Sequence, residues 1–202
     1  MAISKMPPVH GVEDDPDDDG DVVAALASGD RRRALTLLMN RHGERIYRYA
    51  LGMTGDREMA EEIRQLAFVQ AYRDLESFAG RSRVRTWLFG IARHRCLDVM
   101  KGWKRWNHRY KHDPPSDLEV EDHEPDGELD RHRLVVLVAE CLRKLRPAIR
   151  EAVMLRFQQE LSYAELAAVV GEQIGTVQQR VARALPMLRK CVDAELHAEK
   201  AI

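Results

Sequence analysis

Strand-like alternation of polar and apolar residues is missing over any useful length, which removes the expectation of a sheet. Apolar runs long enough to cross a bilayer are also missing, and the start of the chain has no basic-then-apolar export pattern. Cysteine is scarce: Cys96, Cys141 and Cys191 lie far apart, odd in number and without a CxxC pair. Each has apolar or helical neighbours, so the expectation is reduced, partly buried thiols in a cytoplasmic protein. No phosphate-binding loop, nucleophile–base pair or cluster of paired carboxylates emerges, so no catalytic residue is nominated and the chain is not expected to be an enzyme. His108 and His112 have ligand spacing for a helix, but no acidic or thiol partner converges on them in sequence. No metal and no cofactor are expected.

What is present is charge, sorted by sign. The formal net charge of the 202 residues is −1, with 45% hydrophobic and 32% charged residues, enough apolar content for one domain or two small ones. Glu13, Asp14, Asp15, Asp17, Asp18, Asp19 and Asp21 form an acidic block. From Arg81 to Lys111 the sign reverses, with Arg81, Arg83, Arg85, Arg93, Arg95, Lys101, Lys104, Arg105, Arg109 and Lys111 set against Asp98 alone. Asp113 to Asp130 is acidic again. A neutral total therefore hides a basic surface between acidic segments, the footprint of a nucleic-acid binder.

The periodicity predicts an all-α fold of two small helical domains joined by a flexible acidic linker. Residues 1–20, with three prolines and little to bury, read as disordered. A short helix follows from about Asp21. Asp30 then caps a second helix ended by Gly52 and Gly55, and Asp56 opens a third that runs to about Leu75. Phe78 to Ser82 reads as a loop. From near Thr86, the residues Leu88, Ala92, Cys96, Val99, Trp103, Trp106 and Tyr110 recur every three or four positions as one apolar stripe. Trp103, Trp106 and Tyr110 alternate with basic residues, so stacking on DNA is open beside packing. Pro114 and Pro115 end this first domain, at 21–111, and 112–130 reads as the linker.

The second domain, 131–196 with a short tail at 197–202, opens with an apolar helix, Leu134 to Leu142. Pro147 sits in the first turn of the next helix. Ser162-Tyr163-Ala164-Glu165 is a capping box. The run Leu166 to Val177 then has helix-turn-helix logic. Ala167 is small enough for a close crossing, Gly171 supplies the positive φ of the turn, and Thr176 is placed to cap the second helix. Leu166, Val170, Ile174, Val177 and Val181 form the expected shared core. Gln178, Gln179, Arg180 and Arg183 are left projecting, residue types that pair with base edges and phosphates. An ordinary αα-corner with a solvated polar face fits the same spacing.

From Asp21 to Leu196 the chain resembles, in order, the extracytoplasmic-function group of bacterial RNA polymerase sigma factors, in the sigma-70 family. Ala27-Ser28-Gly29-Asp30 and Tyr47-Arg48-Tyr49-Ala50-Leu51 look like the family's opening, and Ala60 to Phe68 like its polymerase-binding helix. Phe78-Ala79-Gly80 and Arg85 to Arg93 look like its promoter-melting segment. Leu161 to Ala167 and Gly175-Thr176-Val177 look like its C-terminal domain. The resemblance implies a factor that binds core RNA polymerase, at the clamp and flap regions, and promoter DNA. Its N-terminal domain would open the −10 element and its C-terminal domain would read the −35 element. It assigns Glu61, Glu62, Gln65 and Leu66 to the polymerase, and Phe78, Arg81, Arg83, Arg85, Arg93 and His94 to the −10 element. Thr176, Gln178, Gln179, Arg180 and Arg183 go to the −35 element. An anti-sigma protein that wraps both domains is the implied regulator.

The sequence departs from the family pattern at four places. Leu66 stands where an acidic residue is usual, His94 where Asn is usual, and Gln178-Gln179 where a basic residue and Ser are common. Pro186 falls inside the recognition helix, where a kink is the expected accommodation. The rival readings are a free-standing helix-turn-helix regulator that binds operator DNA as a dimer and a helical hydrolase. The long basic segment argues against the first and the lack of a catalytic set against the second. The acidic N-terminal block is expected to shield the basic surface.

Overall fold

The computed structural model describes residues 19–110 and 128–199, and all regular structure among them is helical. Helix α1 (Gly20–Ala27) leads into α2 (Arg31–Thr54), α3 (Arg57–Asp74) and, after a short 3-10 turn and a loop, α4 (Val84–Tyr110). The second unit comprises α5 (Glu128–Lys144), α6 (Pro147–Val153), α7 (Tyr163–Val170) and α8 (Ile174–Glu199). The expectations for residues 1–18 and 111–127, and for the side chains of Trp106, His108 and Tyr110, fall outside what is described.

Local chemistry fixes the helix starts. The Asp30 carboxylate accepts from the Arg33 amide at 3.0 Å and Asp56 from Met59 at 2.7 Å, each an N-cap of about 1 kcal/mol. Ser162 and Glu165 form the full capping box. Helix α2 stops at Gly55, whose φ of 74° lets its amide turn back to the Leu51 carbonyl. Gly52 does not end α2; it lies inside it. Past Val153 the α6 ladder widens, and the Gln159 amide reaches back five residues to Met154, at 3.1 Å.

Several expectations need correction. Gly20 already opens α1, and Asp19 is buried, 2.9 Å from both Arg41 and His42, so the folded chain begins before Asp21. Burial pushes the Asp19 carboxyl upward, but the His42 and Arg41 hydrogen bonds outweigh it and hold its pKa below the usual carboxylate range. Residues 128–130, expected in the linker, belong to α5. Thr176 does not cap α8: the helix starts at Ile174 and the amides of Thr176 and Val177 both reach the Gln173 carbonyl. Ile174 is 47% exposed instead of buried, while Leu166, Val170, Val177 and Val181 pack as expected. Helix α8 runs on through Pro186.

Cys141 and Cys191 are joined by a disulfide, which overturns the expectation of separate reduced thiols. Fifty residues of sequence separation say nothing about distance when α5 packs on α8, which brings the two Cα atoms to 5.8 Å. The bond sits beside a small core of Leu145, Ile149, Val153 and Ala184. Cys96 alone remains a free thiol among the described residues, buried in α4 with its pKa pushed up to about 12 by burial and then by the Glu151 charge.

The two units are not held apart. One continuous core runs from Leu38, Ile46 and Tyr49 of α2 through Leu88 and Phe89 of α4 to Leu155, Leu161 and Leu166 of the second unit. Gly52 permits this approach, because a Cβ there would lie 2.1 Å from the Met154 methyl carbon.

Candidate nucleic-acid interface

Three surfaces carry the nominated residues. The first is on α2 and α3, where Leu35, Met39, Gly43, Phe68, Val69 and Tyr72 line a groove of about 440 Å³. Met39, Val69 and the neighbouring Leu66 are 48%, 49% and 37% exposed, a cluster of apolar area on a water-facing helix pair. Gln65 lines the same groove, and Glu62 is exposed. Glu61 takes hydrogen bonds from Arg64 at 2.7 Å and then Gln65 at 2.9 Å, which hold its pKa below the usual range.

The second surface is α8 and the turn before it. Val177, Val181 and Ala184 are buried on one face. At 100° per residue, Gln179 and Arg183 point away from that face, Thr176 and Gln178 stand on its two flanks about 100° from the core line, and Arg180 lies nearer the core edge. Thr176, Gln178, Gln179 and Arg183 are exposed. Arg180 is half-buried and ion-paired with Glu172 at 2.6 Å, so its guanidinium is steered along the edge of the turn. The helix-turn-helix thus presents a coherent polar face.

The third surface is the loop before α4 and the start of that helix. Phe78 is half-buried and packs at a tilt on Trp87, with ring centroids 5.2 Å apart. Trp87 therefore belongs to the wall of the domain. Arg81 is exposed. His94 is exposed and donates through Nδ1 to the Gly90 carbonyl at 2.8 Å. Trp87 and His94 also line a cleft of about 400 Å³ whose far wall is Ala168 and Val169 of α7.

Of the remaining arginines, Arg85 and Arg93 are turned inward, whereas Arg83 is exposed. Arg85 is buried, with its guanidinium 3.8 Å from Glu165, and Arg83 stands 3.9 Å from the same carboxylate. Arg93 donates through Nε to Glu151 at 3.0 Å, and the Tyr49 hydroxyl donates to the same oxygen at 3.0 Å. Glu165 also accepts from Thr86 at 3.1 Å. Burial pushes the Glu165 carboxyl up, but the Ser162, Thr86 and Arg85 interactions prevail and hold it below the usual range. Sequence reading saw Glu165 only as a helix cap and did not single out Glu151. Their partners lie 58 to 102 positions away, and no local pattern encodes such pairs. Among the described residues, no group of His, Cys, Asp and Glu is arranged to hold a metal ion.

The sequence matches the family model for sigma-70 region 2 over residues 38–107 and that for sigma-70 region 4 over residues 136–188. The chain belongs to the sigma-70 family, in its extracytoplasmic-function group. It is 31% identical over 180 residues to the ECF RNA polymerase sigma factor SigC of Mycobacterium tuberculosis, covering 88% of this chain and 94% of that one. It is 29% identical over 191 residues to the RNA polymerase sigma-H factor of Pseudomonas aeruginosa, covering 88% and 93%. Among solved structures it is similar to CnrH, a sigma factor of Cupriavidus metallidurans, in complex with the cytosolic domain of CnrY. There the TM-score is 0.63 and the identity 27%, over 87% of this chain and 97% of that one. As a sigma factor it works with core RNA polymerase and directs promoter-specific transcription initiation; a free-standing operator regulator is not favoured. No helix among the described residues is long and apolar enough to cross a membrane.

Proposed function

We propose that the two units of this sigma factor divide the promoter between them, with 21–111 engaging the polymerase clamp and the −10 element and 131–196 reading the −35 element. The polar face of α8 carries this reading: Gln179 and Arg183 point away from a buried apolar face, with Thr176 on one flank and Arg180 at the edge of the turn, an arrangement that suits base readout by a helix in the major groove. Gln178, on the flank, contacts the edge of the site. Phe78, Arg81, Arg83, Arg85, Arg93 and His94 serve the opened −10 strand, with arginines on phosphates and the Phe78–Trp87 pair as an apolar wall. The groove between α2 and α3, with Leu66, Gln65, Glu61 and Glu62 beside it, docks the clamp. The solved complex of CnrH with a partner's cytosolic domain supports an anti-sigma protein as a further ligand.

The factor supplies no chemistry of its own and acts by binding. The test is run-off transcription with purified core polymerase on promoters found by mapping start sites after overexpression. Arg180→Ala is expected to weaken −35 binding by about tenfold, a typical loss for one good base or phosphate contact, while core affinity stays unchanged. Failure to bind core or to initiate, together with tight binding to duplex operator DNA alone, would overturn the proposal.

A further inference from the structure

Trp87, Gly90, Ile91 and His94 fall within an arc of about 100° on α4, and all four line the cleft of about 400 Å³. A Cβ at Gly90 would meet nothing within 4 Å, so internal packing does not demand a glycine there. Its absence leaves a notch on the helix surface. Trp87 and Ile91 stand half-buried beside the notch, and His94 is exposed one turn further on. An apolar wall with one polar group at its end suits a flat, hydrogen-bonding ring.

The hydrogen bonds around the cleft single out His94. Gln70 donates to Asp74 at 2.9 Å, Thr86 donates to Glu165 at 3.1 Å, and Arg95 stands 3.6 Å from Asp98. His94 engages Nδ1 alone, 2.8 Å from the Gly90 carbonyl. A carbonyl has no proton to give, so Nδ1 carries one, and in the neutral ring Nε2 is then an acceptor only. The Asn usual at this position in the family has an amide that both donates and accepts, and fixes no such choice.

We propose that His94 selects one −10 base by its exocyclic amine. The base lies over Gly90 against Trp87, and N6 of adenine or N4 of cytosine donates to Nε2. Thymine and guanine carry a carbonyl at the matching position and would set one lone pair against another. The inference deepens the assignment of His94 to the −10 strand and rests on it. The charged groups lining the cleft are Asp74 from α3 and Arg95 from α4; Ser82 of the loop and Ala168 and Val169 of α7 add none. A protonated ring donates from Nε2 as well, so the selection belongs to the neutral ring and weakens in mild acid.

The experiment uses the full chain with core polymerase on a promoter whose −10 element is randomised, reading base preference from the transcripts formed. Wild type is expected to favour adenine or cytosine over thymine or guanine about tenfold at one position, the low end for a base contact because a single hydrogen bond is made. That preference should shrink severalfold between pH 8 and pH 6. His94→Asn should flatten this position alone and remove its pH dependence, which loss of a merely structural side chain would not do. Gly90→Leu fills the notch and should lower initiation on every −10 sequence, with helical content and core binding unchanged. Full initiation by Gly90→Leu overturns the placement of the base over Gly90. A position that shifts in His94→Asn but favours thymine or guanine in wild type keeps His94 at the −10 element and overturns the selection by amine. No shift at any position overturns the assignment of His94 to the −10 strand as well.

Discussion

Breaking the Cys141–Cys191 bond should selectively loosen the helix-turn-helix unit. The bond closes a loop of 50 residues that contains α6, α7 and the base-reading turns of α8. In the chain-entropy description, releasing a loop of that length frees about 14 cal/mol/K in the unfolded chain, or about 4 kcal/mol at 25 °C. Measured disulfide contributions typically fall at 2–4 kcal/mol, and about 2 kcal/mol already moves the midpoint of a domain of this size by about 8 °C or more. The assay is thermal unfolding by circular dichroism of the oxidised chain, the reduced chain and the Cys141→Ser/Cys191→Ser variant, each beside a thiol count. Cys96 serves as an internal control. Cys96 and Cys141 are both buried in the fold, so thiols are counted in denaturant, where the reduced chain shows three and the oxidised chain only Cys96. The reduced chain and the serine variant should melt together, well below the oxidised chain. Coincident melting of all three would refute the reasoning.

Three further outcomes are expected. Leu66→Glu restores a charge beside Gln65 and removes exposed apolar area, and should strengthen core polymerase binding several-fold in a titration; unchanged or weaker affinity removes the significance of that departure from the family pattern. Ser162→Ala deletes one half of the capping box and should cost about 1 kcal/mol in denaturant unfolding, whereas Ser162→Asp should be nearly neutral. Asp19→Asn should lower the melting temperature near pH 7 but not in acid. The folded-state pKa of Asp19 lies below the ordinary carboxylate value of 3.8, so its contribution is full above that value and lost as pH falls through the folded pKa. Wild-type and variant midpoints should therefore converge below about pH 3, and a constant gap down to that pH would show that Asp19 acts through packing alone.

Those features that depend on neighbouring residues were legible in the sequence. The helix starts at Asp30, Asp56 and Ser162 rest on a side chain reaching an amide three residues on, a relation visible in one dimension. The same holds for the Gly171 turn and for the polar face of α8, which follows from counting turns. What was misread depended on where elements meet. Gly52 looked like a helix terminator because glycine usually is one, but its function here is to let Met154 approach α2. The cysteines looked independent because spacing in sequence was the only distance at hand. Thr176 is a good capping residue placed three positions too late, since the turn from Gly171 lets the chain re-enter a helix at Ile174. Ile174, assigned to the core by periodicity, lies at the very first helical position, where the partner helix no longer covers it.

The same limit shaped the reading of charge. The sign reversal between Arg81 and Lys111 points to a nucleic-acid face, but composition cannot say which of its charges the fold already pairs. A protein with ten basic residues in that stretch is exposed to every phosphate in the cell, and non-specific binding to a genome of competing sites is the cost of an open basic surface. In the folded chain Arg93 pairs with Glu151 and Arg85 stands 3.8 Å from Glu165, so part of the charge that composition counts as open is met by carboxylates of the second unit. Specificity is a difference of affinities. For a promoter reader that difference depends on which charges stay exposed, such as Arg81 and Arg83, and which the fold has already paired, as it has Arg93, and only the three-dimensional arrangement separates the two groups.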